Sequence, residues 1–492
     1  MDSKCIMKRY KRILLSSLMT YSLTLTPSLS SPWANPGNSS LRSDIELLSQ
    51  YGLITGPVNN WPMSWKQITR DFHKAESANL PIFVERALER VINKVPNKIN
   101  VRAKAFYTNQ VQFFRGFEDE TRGETEIEGG IEFNLENTSV HIEGRYNDVN
   151  NFNLDGSYLS HEIGNWSAYI GSVDRWWGPG QETTTLLSTN ARPMPSIGIR
   201  RVTPKSFKTK WLSWMGPWDA EIFVSKMDKD RDIPEPIFVG MRLNIKPIEN
   251  LEFGFARTLM MCGQGRVCNF KSWLNGLIAI GDLDNIGTSA TQPGNQLAML
   301  SASYKISIKE NMKLKLYLEG TAEDIVVVVP YTYSRLFGAT LSDQIGDKGD
   351  SYSVTAEISD TVGSLAWFLG EQRKGIMYNH FIYQSGYRYF NRVIGHSLDS
   401  NSQYISLKGA LIKANGFEYS LKYQNVLINT ESDSKNLLSD SRERINSIFF
   451  NLKAPTSIGI FQLELGLLDN FINTPNENKA DIRTAINWEI KY

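Results

Sequence analysis

Three stretches hold most of the side chains in this chain that could do chemistry. The first is Asp174-Arg175-Trp176-Trp177, followed by Gly-Pro-Gly, with Arg192, Arg200 and Arg201 further on. The second carries Arg257 and Arg266 around Cys262 and Cys268. The third runs from Tyr387 and Arg388 through Arg392 to His396, Ser397 and Asp399. Indole rings offer the largest flat faces on which a pyranose ring can stack. Guanidinium groups bind carboxylates and phosphates with two parallel hydrogen bonds. Together they describe a surface for an acidic sugar polymer. The competing readings are plain. A tryptophan can sit at the headgroup level of a membrane, and arginines can pair with acids such as Asp174 and Glu182 to stiffen a polar interior.

Adjacent residues on a strand point to opposite faces. Trp176 and Trp177 are therefore expected to divide, one towards a wall or membrane interface and the other inward among arginines. Gly178, Pro179 and Gly180 would turn the chain over a rim. His396, Ser397 and Asp399 invite comparison with a hydrolytic triad. A triad is defined by spatial geometry, however, and neighbours on an extended chain point apart. No Gly-x-Ser-x-Gly elbow accompanies them. No catalytic residue is assigned, and neither a metal site nor a cofactor is expected. The acidic stretches 281–285 and 343–350 lack the ligand spacing of a calcium loop and read as solvated surface. Cys262 and Cys268 lie in a glycine-rich stretch without further ligands nearby, so a local disulfide is expected in an oxidising compartment.

The elements that must position these residues divide the chain in three. Residues 1–34 read as an export signal and short linker. Lys4, Lys8, Arg9, Lys11 and Arg12 precede an uncharged run from Ile13 to Ser31, with cleavage after Ser30 or Ala34. Residues 35–98 read as a helical, periplasmic unit. Leu41, Ile45 and Leu48 share a helix face, Gly56-Pro57 breaks the pattern, Ser64 opens a second helix, and Pro81 opens a third carrying Val84, Leu88, Val91, Ile92 and Val95. From residue 99 to 492 the period changes to two. Ile482, Thr484, Ile486, Trp488 and Ile490 alternate with Arg483, Ala485, Asn487, Glu489 and Lys491. Hairpins with tight turns at Glu136-Asn137 and Gly164-Asn165 are separated by longer segments at 174–195, 261–293, 321–350, 388–402 and 427–443. Short turns on one side and long loops on the other predict an all-β, antiparallel transmembrane barrel of about 18 strands.

Composition agrees with that fold class. After the leader no run approaches the roughly 20 apolar residues of a spanning helix. Mean hydropathy is −0.31 and aromatic residues make up 11%. A net charge of +1 supplies no basic field for nucleic acid.

Four motifs, in order along the chain, resemble the Wzi-type capsule-assembly proteins of the Gram-negative outer membrane. They are "YGLITGPVNNWPMSW", "DRWWGPGQETTTLLSTNARPMP", "ARTLMMCGQGRVCNF" and "YNHFIYQSGYRYFNRVIGHSLDSNSQYISL". The cysteine pair is a departure from the usual family pattern. The resemblance implies an 18-stranded outer-membrane barrel with a helical bundle at its periplasmic end. It also implies a lectin-like, non-enzymatic role in binding capsular polysaccharide or exopolysaccharide and attaching it to the cell surface. A monomer is expected, inserted by the barrel assembly machinery and bathed in outer-membrane lipid and lipopolysaccharide. A porin for sugars or other small solutes is the alternative, and an outer-membrane hydrolase a more distant one.

Overall fold

The computed structural model describes residues 33–278, 294–323, 325–326, 329–330, 333–364, 375–432, 435–474 and 480–491. The leader and the acidic stretch 281–285 lie outside the described residues; Trp33 and Ala34 are packed into the fold as a two-residue strand against Met63–Ser64.

Eighteen antiparallel strands close into a barrel. They are β1 (Ile99–Thr108), β2 (Thr125–Asn134), β3 (Thr138–Asn147), β4 (Tyr158–Ile163), β5 (Trp166–Ser172), β6 (Pro195–Arg201), β7 (Trp218–Lys226), β8 (Ile237–Ile248) and β9 (Leu251–Met261), followed by β10 (Gly294–Ser307), β11 (Lys313–Ala322), β12 (Tyr333–Ile345), β13 (Asp350–Ser364), β14 (Gln403–Ile412), β15 (Glu418–Ile428), β16 (Glu443–Thr456), β17 (Gly459–Leu468) and β18 (Asp481–Lys491). A three-residue strand, Asn151–Asn153, adds to one end of β3. The last strand pairs with the first, from Ala485 opposite Thr108 to Lys491 opposite Arg102, so no sheet edge is left open.

The alternation has the expected cause. On β18, Ile482 and Ile486 are exposed on the outer face while Arg483 and Ala485 are buried towards the lumen. Only closed barrels and helices satisfy every backbone group in lipid, and the outer face must then be apolar.

One expectation needs correction. Residues 321–350 are not one long connecting segment, because β12 and β13 form a hairpin there, turning at 346–349. Gly338, Ala339 and Thr340 dilute the alternation on β12. A Cβ on Gly338 would lie 2.1 Å from the Tyr317 ring, so packing against that ring replaces the apolar signal.

The N-terminal helices sit inside and beneath the barrel at the end with the short turns, the periplasmic end. Asn38 caps α1 (Ser39–Gln50) by accepting from the Leu41 amide at 2.8 Å. Leu41, Ile45 and Leu48 pack against Val84, Leu88 and Val91 of α3 (Ile82–Ile92), and the short α2 (Trp65–Thr69) joins the same core. The polar side of α1 is tied to the barrel and to an inward-folded loop. Lys315 donates to Glu46 at 3.0 Å, and Arg42 donates to the Pro179 carbonyl at 2.9 Å. The connection between β6 and β7, residues 202–217, is the long exception at this end.

Candidate functional site

The motif around the paired tryptophans is neither a rim nor a membrane interface. Trp176–Trp177 is a two-residue strand deep in the lumen, paired with Asn60–Trp61 of the plug. Both indoles are fully buried, which corrects the expectation that one faces lipid. They do face opposite ways. Trp176 lies edge-on to Phe117 at 5.3 Å in the plug core, and its Nε1 donates to the Gly180 carbonyl. Trp177 packs on Phe223 of the inner wall at 5.7 Å. Neither has a face left for a sugar.

The residues after them wrap two carboxylates that project from the wall. Glu319 accepts from the amides of Gly180 and Thr185, and Glu357 accepts from those of Gln181 and Thr183. The threonine hydroxyls complete the set: Thr184 and Thr185 donate to Glu319, and Thr183 to Glu357. Gly178 is required at φ 130°, and a Cβ there would lie 2.1 Å from Glu319. The loop thus satisfies its backbone in the lumen, where a buried amide must find a partner.

The candidate arginines do not form one basic surface. Arg175 is buried on the wall, donating to Glu221 at 3.0 Å and to the Tyr169 hydroxyl at 2.7 Å. Asp174 lies half-buried beside it, raised from its ordinary pKa by burial. Arg257 points to the outer face of the barrel. It donates to the carbonyls of Gly276 and Leu277 at the end of α4 (Phe270–Ile278), a helix packed on the outside of β8 and β9. Arg266 lies over the Tyr383 ring at 5.8 Å, in the loop where Cys262 is bonded to Cys268. Arg388 is buried and doubly bonded to Asp399, at 2.9 and 2.7 Å. The Tyr387 hydroxyl donates in the same layer, to the Leu186 carbonyl.

His396, Ser397 and Asp399 have separate partners. The Nδ1 of His396 accepts from the Leu398 amide, which leaves Nε2 to donate to Ser359 at 2.8 Å. Burial pushes its pKa down to about 3. Ser397 donates to the Arg115 carbonyl, and Asp399 serves Arg388. The hydrolytic arrangement is absent among these three residues.

One surface does combine an accessible ring with cations, and the sequence pattern did not single out its centre. Arg388–Tyr389 pairs with Arg392–Val393 in a tight hairpin whose two turn residues, Phe390 and Asn391, have φ of 47° and 58°. Positive φ at both turn positions is the type I′ requirement, usually met by Asn-Gly. A phenylalanine there is strained. Phe390 is 46% exposed on the long-loop side. Arg192 lies over its ring at 5.2 Å and is held in place by Asp155, at 2.7 and 3.1 Å. Arg392 follows in the same hairpin, half-buried, its pKa lowered to about 10 by burial and by Arg115. A ring held in a costly conformation with Arg192 against it can stack on a sugar while the cation takes an acidic substituent. The only hint in the sequence is a two-residue turn without glycine.

The lumen between this surface and the periplasm is filled by the plug and the 173–194 loop. A cavity of ≈ 150 Å³ remains beside α1, lined by Glu46, Glu182, Lys408, Lys422, Lys453 and Arg483 among others. That is room for on the order of ten waters. Its walls are charge-paired: burial opposes ionisation of Glu182, but Lys408 and Lys422 bring its pKa down to about 2.

The family model described as capsule assembly protein Wzi matches residues 95–465. An uncharacterised 55.8 kDa protein of the cps region of Klebsiella pneumoniae is 29% identical over 294 residues, 58% of this chain and 57% of that one. The chain therefore spans little more than half the length of that relative. Among solved structures, an Escherichia coli outer-membrane protein described as a carbohydrate-binding β-barrel involved in group 1 capsule assembly is 22% identical. It covers 93% of this chain and 99% of its own, with a TM-score of 0.79. This last likeness establishes a shared fold.

Proposed function

Because the chain belongs to the capsule assembly protein Wzi family, we propose that it resides in the outer membrane and holds capsular or related surface polysaccharide at the cell surface. It does so as a lectin, without catalysing a reaction. The observation that carries this reading is the combination of a filled lumen with an exposed, strained ring at the long-loop end. A polymer cannot thread a lumen occupied by α1, Trp61, Trp176 and the loop around Glu319 and Glu357. It can lie on Phe390, with Arg192 and Arg392 turned to its carboxylate or phosphate groups.

The test is binding of the purified protein to the host's own surface polysaccharides, alongside a gene deletion. Binding is expected, and the deletion is expected to release polymer into the medium while total synthesis continues. Unchanged cell-bound polymer in the deletion strain would overturn the proposal. Steady large openings in planar bilayers would favour the porin instead.

A further inference from the structure

The long connection at the periplasmic end, residues 202–217, first packs under the plug, where Arg70 donates to the Pro204 carbonyl, and from Phe207 turns to the outer side of the barrel. On β6, Arg200 is buried towards the lumen while Ile197 and Ile199 are exposed outwards, so Arg201 continues the outward row. On β7, Asp219 and Glu221 are buried, which places Trp218 on the outward row too. Arg201 lies over the Trp218 ring at 3.5 Å, and Phe207 stacks on that ring at 4.6 Å with the planes 14° apart. Trp166 meets it edge-on. This stack pins the connection against the lipid-facing wall at the periplasmic rim.

Beyond the stack the segment presents an unusual composition. Trp211 is 89% exposed, Trp214 62% and Leu212 40%. Lys205, Lys208 and Lys210 are exposed beside them, and no acidic residue occurs between Arg201 and Trp218. Indoles favour the headgroup level of a bilayer, where the ring is apolar and the N–H stays wet. Lysines at that level are attracted to phosphate-bearing lipids that carry net negative charge. The row is continuous with the apolar outer wall through Ile163, Ile197 and Ile199.

We propose that residues 205–214 form a foot for anionic phospholipid in the periplasmic leaflet. Trp211, Leu212 and Trp214 insert at headgroup depth, and Lys205, Lys208 and Lys210 bind the phosphodiester charge of lipids of the phosphatidylglycerol type. The foot rests on the outer-membrane placement proposed above but is independent of polysaccharide binding, which takes place at the opposite end. The experiment omits polysaccharide, so the two ideas fail separately.

The full-length protein is purified in micelles containing equal parts phosphatidylethanolamine and phosphatidylglycerol, and retained lipid is read by native mass spectrometry. The wild type is expected to retain phosphatidylglycerol in preference. A variant carrying Lys205→Gln, Lys208→Gln and Lys210→Gln is expected to lose at least about ten-fold of that preference, given about five-fold per lysine near an anionic surface. The corresponding three Lys→Arg changes should keep it. Trp211→Ser with Trp214→Ser should lower retention of both lipids. All these side chains are exposed, so the barrel is left intact. Equal retention of the two lipids by the wild type, an unchanged preference in the glutamine variant, or unchanged retention in the serine variant would overturn the proposal.

Discussion

Thr183 donates twice to one carboxylate oxygen of Glu357, from its amide and from its hydroxyl, each at 2.7 Å. A third donor, the amide of Gln181, reaches the other oxygen at 2.7 Å. The loop carrying the paired tryptophans is thus held to the barrel wall through its own backbone.

Glu357→Gln turns part of this acceptor into a donor that faces other donors. Leaving buried amides unsatisfied costs about 1–3 kcal/mol each. Hydrogen exchange at Gln181–Thr185 is expected to accelerate by at least about ten-fold, an order-of-magnitude figure from the same penalty. Unchanged protection at these amides would show that the carboxylate does not hold the loop.

Phe390 separates binding from stability. Phe390→Asn places a residue that tolerates positive φ at the hairpin tip and removes the ring. The variant is expected to be more stable, by up to about 1 kcal/mol, and so to unfold at higher temperature, and to bind polysaccharide about two- to ten-fold more weakly from the lost stacking. A variant that binds as well as the wild type removes Phe390 from the site.

The two indoles predict the opposite pattern. Trp176→Ala and Trp177→Ala each open a cavity in a fully buried core, at a cost of about 3–5 kcal/mol. Polymer binding should fall only as far as the loop loosens. Abolished binding with unchanged stability would restore the tryptophans as a sugar platform.

His396 makes the loop layer sensitive to acid. Its pKa falls from 6.5 in the unfolded chain to about 3 in the fold, because burial disfavours the charged ring. Between those values the unfolded state binds a proton that the native state does not, so stability rises with pH across this window. Acidifying from pH 7 to pH 5 is expected to remove about 2 kcal/mol through this residue. His396→Gln keeps a donor near Ser359 and should flatten that part of the pH profile. An identical slope in the variant would assign the acid sensitivity elsewhere.

The barrel was legible because lipid enforces alternation on every strand, as at Ile482 and Arg483. It was lost where packing among small residues replaced it, at Gly338 to Thr340. The placement of Trp176 and Trp177 on opposite faces followed from strand geometry. Their surroundings did not, because the partner strand is remote: 118 residues separate Gly178 from its acceptor on Asn60. Arg388 and Asp399 were each visible as charged candidates, but nothing local said that they satisfy one another. Arg257 read as a candidate for an acidic sugar because its acceptors, the carbonyls of Gly276 and Leu277, lie on a helix outside the barrel that nothing local announces. Phe390 carried little more than a short turn without glycine, since the strain that marks it is a property of the backbone.

The pairing of Trp176–Trp177 with Asn60–Trp61 joins a segment that descends from the outer surface to one that rises from the periplasm. The junction is made of backbone bonds, which bear load along a fixed direction and slide less readily than packed side chains. The plug and the loop carrying the paired tryptophans are therefore joined end to end inside the barrel. On the function proposed above, a pull on the bound polymer would have this backbone junction as its path to the helices at the opposite end.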